Sequence, residues 1–228
     1  MNYDREKYNK GKMKLITQPI IFVEGNSNKI FYQQLNELKN KIIENGGDCI
    51  QIKKRVESQT NCYGIVDHDY LDHSHEKLFP INFYSVENIS LIYIDKLEDL
   101  RLSIHKYIYT NEFEEIILQK PFLKMLFDKE SKRVIDFNII LTNQKHHDQY
   151  KTYITKNIMS ETTFMKYKDL KKVVELYIRF YKLKNSEKIN HIFDLAQHLP
   201  KKSIEDIFDE ATLDRFIKIL QPELLTYA

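Results

Sequence analysis

The sequence predicts an α/β fold: a Rossmann-like sheet flanked by helices, followed by a mainly α-helical C-terminal region. Three observations predict it. Short apolar runs bounded by Gly or Pro alternate with segments of helical spacing through about residue 94. Beyond that point the pattern turns helical. Acidic residues also recur where the apolar runs end, the place where α/β sheets build ligand sites.

Taken in order, residues 1–17 form a charged polar leader without the apolar core of a signal peptide. "PIIFVEG" (19–25) reads as a buried strand ending on Glu24 and Gly25. A helix is expected from about Ser27, because Ile30, Phe31, Leu35, Leu38 and Ile42 recur at helical spacing, with "NGG" (45–47) as its stop. "CIQIK" (49–53) alternates like a strand. "CYGIV" (62–66) is a second apolar run, and it ends on Asp67 and Asp69. Alternation of side chains along a strand would turn those two aspartates to one side, where their like charges need compensation. "INFYSV" (81–86) reads as a further strand, opening into a helix with "ENISLIYI" and Glu87 at its start.

From about 95 to 228 the chain reads as a helical region suited to dimerisation or partner docking. "RVIDFNIIL" (133–141) fits a strand or a helix equally. "TFMKYKDLKKVVELYIRFY" (163–181) is expected to be one long amphipathic helix with a basic outer side. "SEKINHIFDLAQHL" (186–199) places Ile189, Ile192, Phe193, Ala196 and Leu199 on one face.

The composition narrows the function. The chain has 228 residues, 42% hydrophobic and 30% charged, which suits a soluble globular protein with a real core. Its 35 basic and 33 acidic residues nearly cancel, so a polybasic nucleic-acid coat is excluded, although local basic surfaces are not. No apolar run is long enough to cross a bilayer. The cysteines, Cys49 and Cys62, do not make a disulfide framework, and the expected compartment is the cytoplasm. No G-x-x-x-x-G-K-[ST] is present, so P-loop ATP hydrolysis is excluded.

Carboxylates gathered at strand ends suit a hard cation such as Mg²⁺, which takes oxygen ligands and keeps several waters. A D-x-D pair alone is more often a solvated turn. The Glu24–Gly25 ending of an earlier apolar run strengthens the metal reading.

Together, "IIFVEGNSNKIFYQQL", "YGIVDHDY" and "INFYSVENISL" resemble the three ordered motifs of the TOPRIM domain, in its OLD-like nuclease branch. They also resemble the small TOPRIM nucleases that pair with an ABC-type ATPase in bacterial anti-phage systems such as PARIS. The likeness covers about residues 18–94. It implies a metal-dependent endonuclease acting on DNA or RNA, tRNA among its targets, toxic when released and controlled by a partner ATPase. It implies Glu24, Asp67 and Asp69 as Mg²⁺ (or Mn²⁺) ligands and catalytic residues, with Glu87 as a further acid of the same pocket. Asn28 stands where the branch carries an aspartate; its amide oxygen can coordinate a metal but adds no charge. Lys29, Lys53 and Lys54 are candidates for the phosphate-stabilising lysine of the superfamily, each weighed against an ordinary surface role. Two alternatives stay beside the nuclease: a catalytically weak module that docks to an ATPase or nucleic acid, and a housekeeping RNA-processing ribonuclease. A homo-oligomer formed through the helical half is expected.

Other groups read more plainly. His68, His73 and His75 suggest a polar loop over the site, and zinc is disfavoured for want of a nearby cysteine. His146, His147 and Asp148 suggest an exposed loop rather than a catalytic pair. The Tyr/Lys stretches "KYIY" (106–109) and "KYKDLKK" (166–172) suit half-buried helices better than base stacking.

Overall fold

A computed structural model of the chain describes residues 18–70, 73–110, 122–128, 133–140, 161–184, 196 and 199–221. The α/β expectation holds. Strands β1 (Ile20–Glu24), β2 (Ile42–Gly47), β3 (Cys62–Val66) and β4 (Leu78–Pro80) form one parallel sheet in the order β2-β1-β3-β4. Parallel strands need crossovers, and helices α1 (Gly25–Tyr32) and α2 (Cys49–Ser58) supply the first two.

Alternation along the strands feeds two layers. Ile21, Val23, Ile43, Ile65 and Phe79 face Phe31 and Tyr32 of α1, together with Leu35, Leu38 and Ile89. Phe22, Val66 and Leu78 face Ile52 and Val56 of α2. Both faces of the sheet are thus covered, as a parallel sheet requires. Gly64 lets α2 come this close: a Cβ there would stand 2.5 Å from Ile52 Cγ2 and 2.8 Å from Leu78 Cδ2.

Three of the expected elements differ. The helix after β1 ends at Tyr32, and Ile42 with "NGG" belongs to β2. The spacing of Leu38 and Ile42 is therefore a turn followed by a strand. "CIQIK" is helical, because Asp48 accepts from the Gln51 amide while Gln51 bonds back to the Asp48 amide, a reciprocal cap that starts α2. Ile52 and Val56 are buried four residues apart, and Ile50 points out. The fourth strand is Leu78–Pro80 rather than 81–86; beyond it the Ile81 amide bonds Val66 O, and the Phe83 and Tyr84 carbonyls accept from the His68 and Asp69 amides at 3.4 and 3.5 Å, before α3 (Val86–Tyr93) begins.

In the region expected to be helical, α4 (Glu98–Thr110) precedes a two-stranded antiparallel hairpin, β5 (Phe122–Asp128) and β6 (Arg133–Ile140). Of the 133–141 segment, Arg133–Ile140 is thereby a strand. The single helix expected over 163–181 is two, α5 (Glu161–Tyr167) and α6 (Lys171–Lys184), broken at 168–170. A second core forms where Leu91, Leu100, Ile104, Phe164, Val173 and Val174 meet. After a short 3₁₀ turn, α7 (Glu210–Leu220) closes the first core through Phe216 and Leu220. Most of the helix expected over 186–199 lies outside the described residues.

Candidate metal centre

The chain passes from β1 outward to β2, then crosses back over β1 to β3. Where connections diverge like this, a crevice opens beyond the carboxyl ends of the two central strands. Glu24 is the last residue of β1, and Asp67 follows the last residue of β3. Gly25 turns the chain from strand to helix at φ +73°, a conformation open to glycine at no steric cost, and so holds Glu24 at the sheet's edge.

Asp69 reaches the same place by a different route from strand alternation. β3 stops at Val66, and the backbone then enters the left-handed region at Asp69 (φ 43°) and Tyr70 (φ 58°). Two successive non-glycine residues in that region are costly, and such strain gathers at functional sites. One carboxylate oxygen from each of Glu24, Asp67 and Asp69 lies within 4.8 Å of the others, a cluster that could hold a metal ion.

The donors fit a hard dication. Glu24 Oε1 accepts from the Asp67 amide at 2.9 Å. Asp67 is 5% exposed, and its Oδ1 has no hydrogen-bond partner among the described residues. A buried carboxylate oxygen with no donor is costly unless a cation or water satisfies it. Burial, and then the nearby Asp69, push the Glu24 carboxyl up to about 7. Burial pushes Asp67 up as well, with Lys171 pulling against it.

Lys171 compensates the repulsion between the aspartates. Its Nζ lies 2.9 Å from Asp67 Oδ2 and 3.2 Å from Asp69 Oδ1. Burial alone would lower its pKa, but Asp67, Asp69 and Glu87 outweigh burial and hold it well above the ordinary lysine value. The break between α5 and α6 puts Lys171 on the first residue of α6 and so delivers it to the site. Asp169 Oδ1 accepts from the Lys171 amide at 3.2 Å, and Asp169 Oδ2 accepts from the Tyr84 hydroxyl at 2.8 Å. The Asp169 amide in turn donates to the Tyr70 hydroxyl at 2.7 Å. The Tyr70 and Tyr84 rings pack 4.6 Å apart, and Lys171 Nζ lies 5.2 Å from the Tyr84 ring centroid.

Glu87 and Asn88 have separate roles. Glu87 sits half-buried in the first turn of α3; its charge acts on Asp67 and Lys171, but it stands outside the cluster of three. Asn88 is fully buried. Its Nδ2 donates to the carbonyls of Met165 (2.7 Å) and Lys168 (2.8 Å), and its Oδ1 accepts from Ser85 at 2.8 Å. Asn88 thus clamps the end of α5 and the break from which Lys171 emerges.

The other sequence candidates fall into place. Asn28 is half-buried on α1, one turn after Glu24. Lys29 pairs with Glu44 at 3.4 Å, and Lys53 and Lys54 are exposed on α2. Sequence reasoning missed Lys171 because "KYKDLKK" was read within one continuous helix. Asp169, a residue that favours helix starts, was the local sign of a break. Lys166 lies 5.0 Å from the Phe83 ring centroid, and Tyr107 packs on Phe137, which fits half-buried packing for the Tyr/Lys stretches. His75 Nδ1 accepts from the Lys77 amide. Cys49 Sγ lies 3.7 Å from His73 Nδ1, so the loop histidines do have a cysteine beside them. His146, His147 and Asp148 lie outside the described residues. No candidate membrane span occurs among the described helices.

No family model matches the chain, and neither a curated protein nor a solved structure matches it.

Proposed function

We propose that the chain is a metal-dependent nuclease of TOPRIM type, hydrolysing phosphodiesters of DNA or RNA, with Mg²⁺ or Mn²⁺ held by Glu24, Asp67 and Asp69. The observation that carries this reading is the convergence of three carboxylates at the sheet's switch point, with a lysine pinned among them. A dication bound there would neutralise phosphate charge and lower the pKa of water. Lys171 is suited to meet a phosphate oxygen on the same side, because a fixed ammonium in a half-buried site stabilises developing negative charge. Glu24 keeps Oε1 on the Asp67 amide, which leaves Oε2 as its oxygen for the dication. Asn28, one turn after Glu24 on α1, is the further ligand this reading would call on, and the charge of Glu87 acts on Asp67 and Lys171.

The three ordered motifs support a toxic anti-phage effector restrained by an ABC-type ATPase, working in the cytoplasm and associating with itself. Purified protein incubated with plasmid and with total RNA tests the chemistry. Cleavage should require Mg²⁺ or Mn²⁺ and vanish in Glu24→Ala and Asp67→Ala while both variants keep their fold. Full activity in both would refute the site.

One observation favours a second reading. Lys171 already satisfies two of the three carboxylates, as it would in a metal-free docking module. Calorimetric titration with Mn²⁺ separates the two, since the docking module takes up no metal.

A further inference from the structure

We infer that Tyr32 is a positioning residue of the carboxylate cluster, its buried hydroxyl donating to Asp67 Oδ1 with at most one water between them. The pairing itself needs no metal; its consequence for metal uptake rests on the reading given above.

The observation is two unpaired atoms of opposite kind. Tyr32 is 1% exposed, and its hydroxyl has no hydrogen-bond partner among the described residues. Asp67 is buried too, and its Oδ1 is likewise unpaired there. A phenol so placed lacks an acceptor, whereas a carboxylate oxygen lacks a donor. Each alone is costly, and joining them removes both costs.

The fold directs the two toward one place. Tyr32 is the last residue of α1, one turn beyond Asn28, and a long helical side chain leans back toward the start of its helix, here the end next to Glu24. Its ring belongs to the same buried layer as Val23, Ile65 and Val86. Those residues stand just before Glu24, Asp67 and Glu87 in the chain. The ring meets Phe31 edge to face, centroids 5.4 Å apart, and is enclosed by the first core, so its hydroxyl has no path to solvent. Packing alone gives that oxygen no use. Burial first, and then the charges of Asp67, Glu24 and Glu87, hold the phenol well above its ordinary value, so it stays an O–H donor. Of the three acids, Asp67 acts on it most strongly.

The bond would complete the hold on Asp67. Lys171 already meets Oδ2, so a donor on Oδ1 fixes the other end of the carboxylate and with it the plane of the group. A carboxylate oxygen has more than one lone pair, which leaves Oδ1 able to ligate a cation as well. Partners that orient a metal ligand in this way are worth roughly 10- to 100-fold in metal affinity.

Tyr32→Phe removes the hydroxyl and keeps the ring. In EDTA at pH 8 it should lower the urea midpoint of the full chain. In an Asp67→Asn background the loss should shrink to about half, because a charged acceptor makes a bond roughly twice as strong as a neutral one. A hydroxyl with no partner gives the opposite sign, since deleting an unpaired buried polar group stabilises the fold. A midpoint unchanged or raised by Tyr32→Phe overturns the inference. So does an equal loss in both backgrounds, which marks a tyrosine that packs without touching Asp67. Titrated with Mn²⁺ in a calorimeter, Tyr32→Phe should bind about tenfold more weakly than the wild type at the same stoichiometry. Affinity equal to the wild type's overturns the positioning role. A wild type that takes up no Mn²⁺ removes the metal reading and that role with it, while the EDTA comparison still decides whether Tyr32 and Asp67 are paired.

Discussion

Lys171 Nζ lies 2.9 Å from Asp67 Oδ2, so the first residue of α6 neutralises the aspartate that ends β3. The pair joins the two halves of the molecule: the sheet presents the acid, and the break between α5 and α6 presents the base. Half-buried and shared with Asp69, it is more than an exposed ion pair, whose worth is ordinarily under about 1 kcal/mol.

Replacing Lys171 with Met should separate metal binding from turnover. Removing the internal cation leaves two uncompensated carboxylates, so Mn²⁺ affinity measured by calorimetry should hold or rise. Cleavage should fall on the order of 10²- to 10³-fold, the usual loss when one fixed charge-stabilising group is removed. Equal losses in both would show that Lys171 serves only to build the site.

Glu24 makes the metal-free protein sensitive to pH. Its carboxyl is raised from 4.5 to about 7, so folding favours the protonated form. Its contribution is therefore most favourable below pH 4.5 and is lost as pH rises through 7. In EDTA, the wild type should lose on the order of 2 kcal/mol between pH 5 and pH 8 relative to Glu24→Gln, read from urea midpoints. Mg²⁺ at pH 8 should restore much of that difference, because a dication favours the ionised carboxylate.

Asn88→Ala should act on the site from a distance. It strips two buried donors from the carbonyls of Met165 and Lys168. The expected cost is about 2–4 kcal/mol, since each unsatisfied buried group costs roughly 1–3 kcal/mol. Cleavage should fall with it as Lys171 loses its position. Tyr84→Phe, which removes only the bond to Asp169, should cost about 1 kcal/mol and a smaller share of activity. Denaturation midpoints and cleavage rates measured on the same preparations check both.

Gly64→Ala should destabilise without touching the chemistry. The added methyl meets Ile52 and Leu78 on the α2 face of the sheet, so about 1–3 kcal/mol of overpacking is expected. Metal affinity per folded molecule should stay within twofold, by calorimetry on the folded fraction.

How much of this was legible in the sequence differs from one residue to the next. Glu24 and Asp67 could be found because each ends an apolar run, and burial of a strand shows directly in its composition. "CIQIK" misled because five alternating residues fit either period, and the Asp48–Gln51 cap that decided for a helix lies at its edge. Ile42 misled because i, i+4 spacing is blind to an intervening turn. Asp69 was placed correctly for the wrong reason: the sequence suggested strand alternation, and a left-handed backbone does the work.

The sequence by itself determined the apolar runs that become β1 and β3, and the carboxylates available at their ends. Those follow from burial and periodicity, which act between near neighbours. Only the tertiary structure decided which cation meets those acids, because Lys171 arrives through buried hydrogen bonds to Asn88, Tyr84 and Tyr70 on distant segments. It likewise decided that Cys49 and His73 share a place, since neither periodicity nor composition records a contact between a helix start and a loop 24 residues away. Charge compensation and metal-donor geometry are matched across the fold, where single-chain patterns cannot register them.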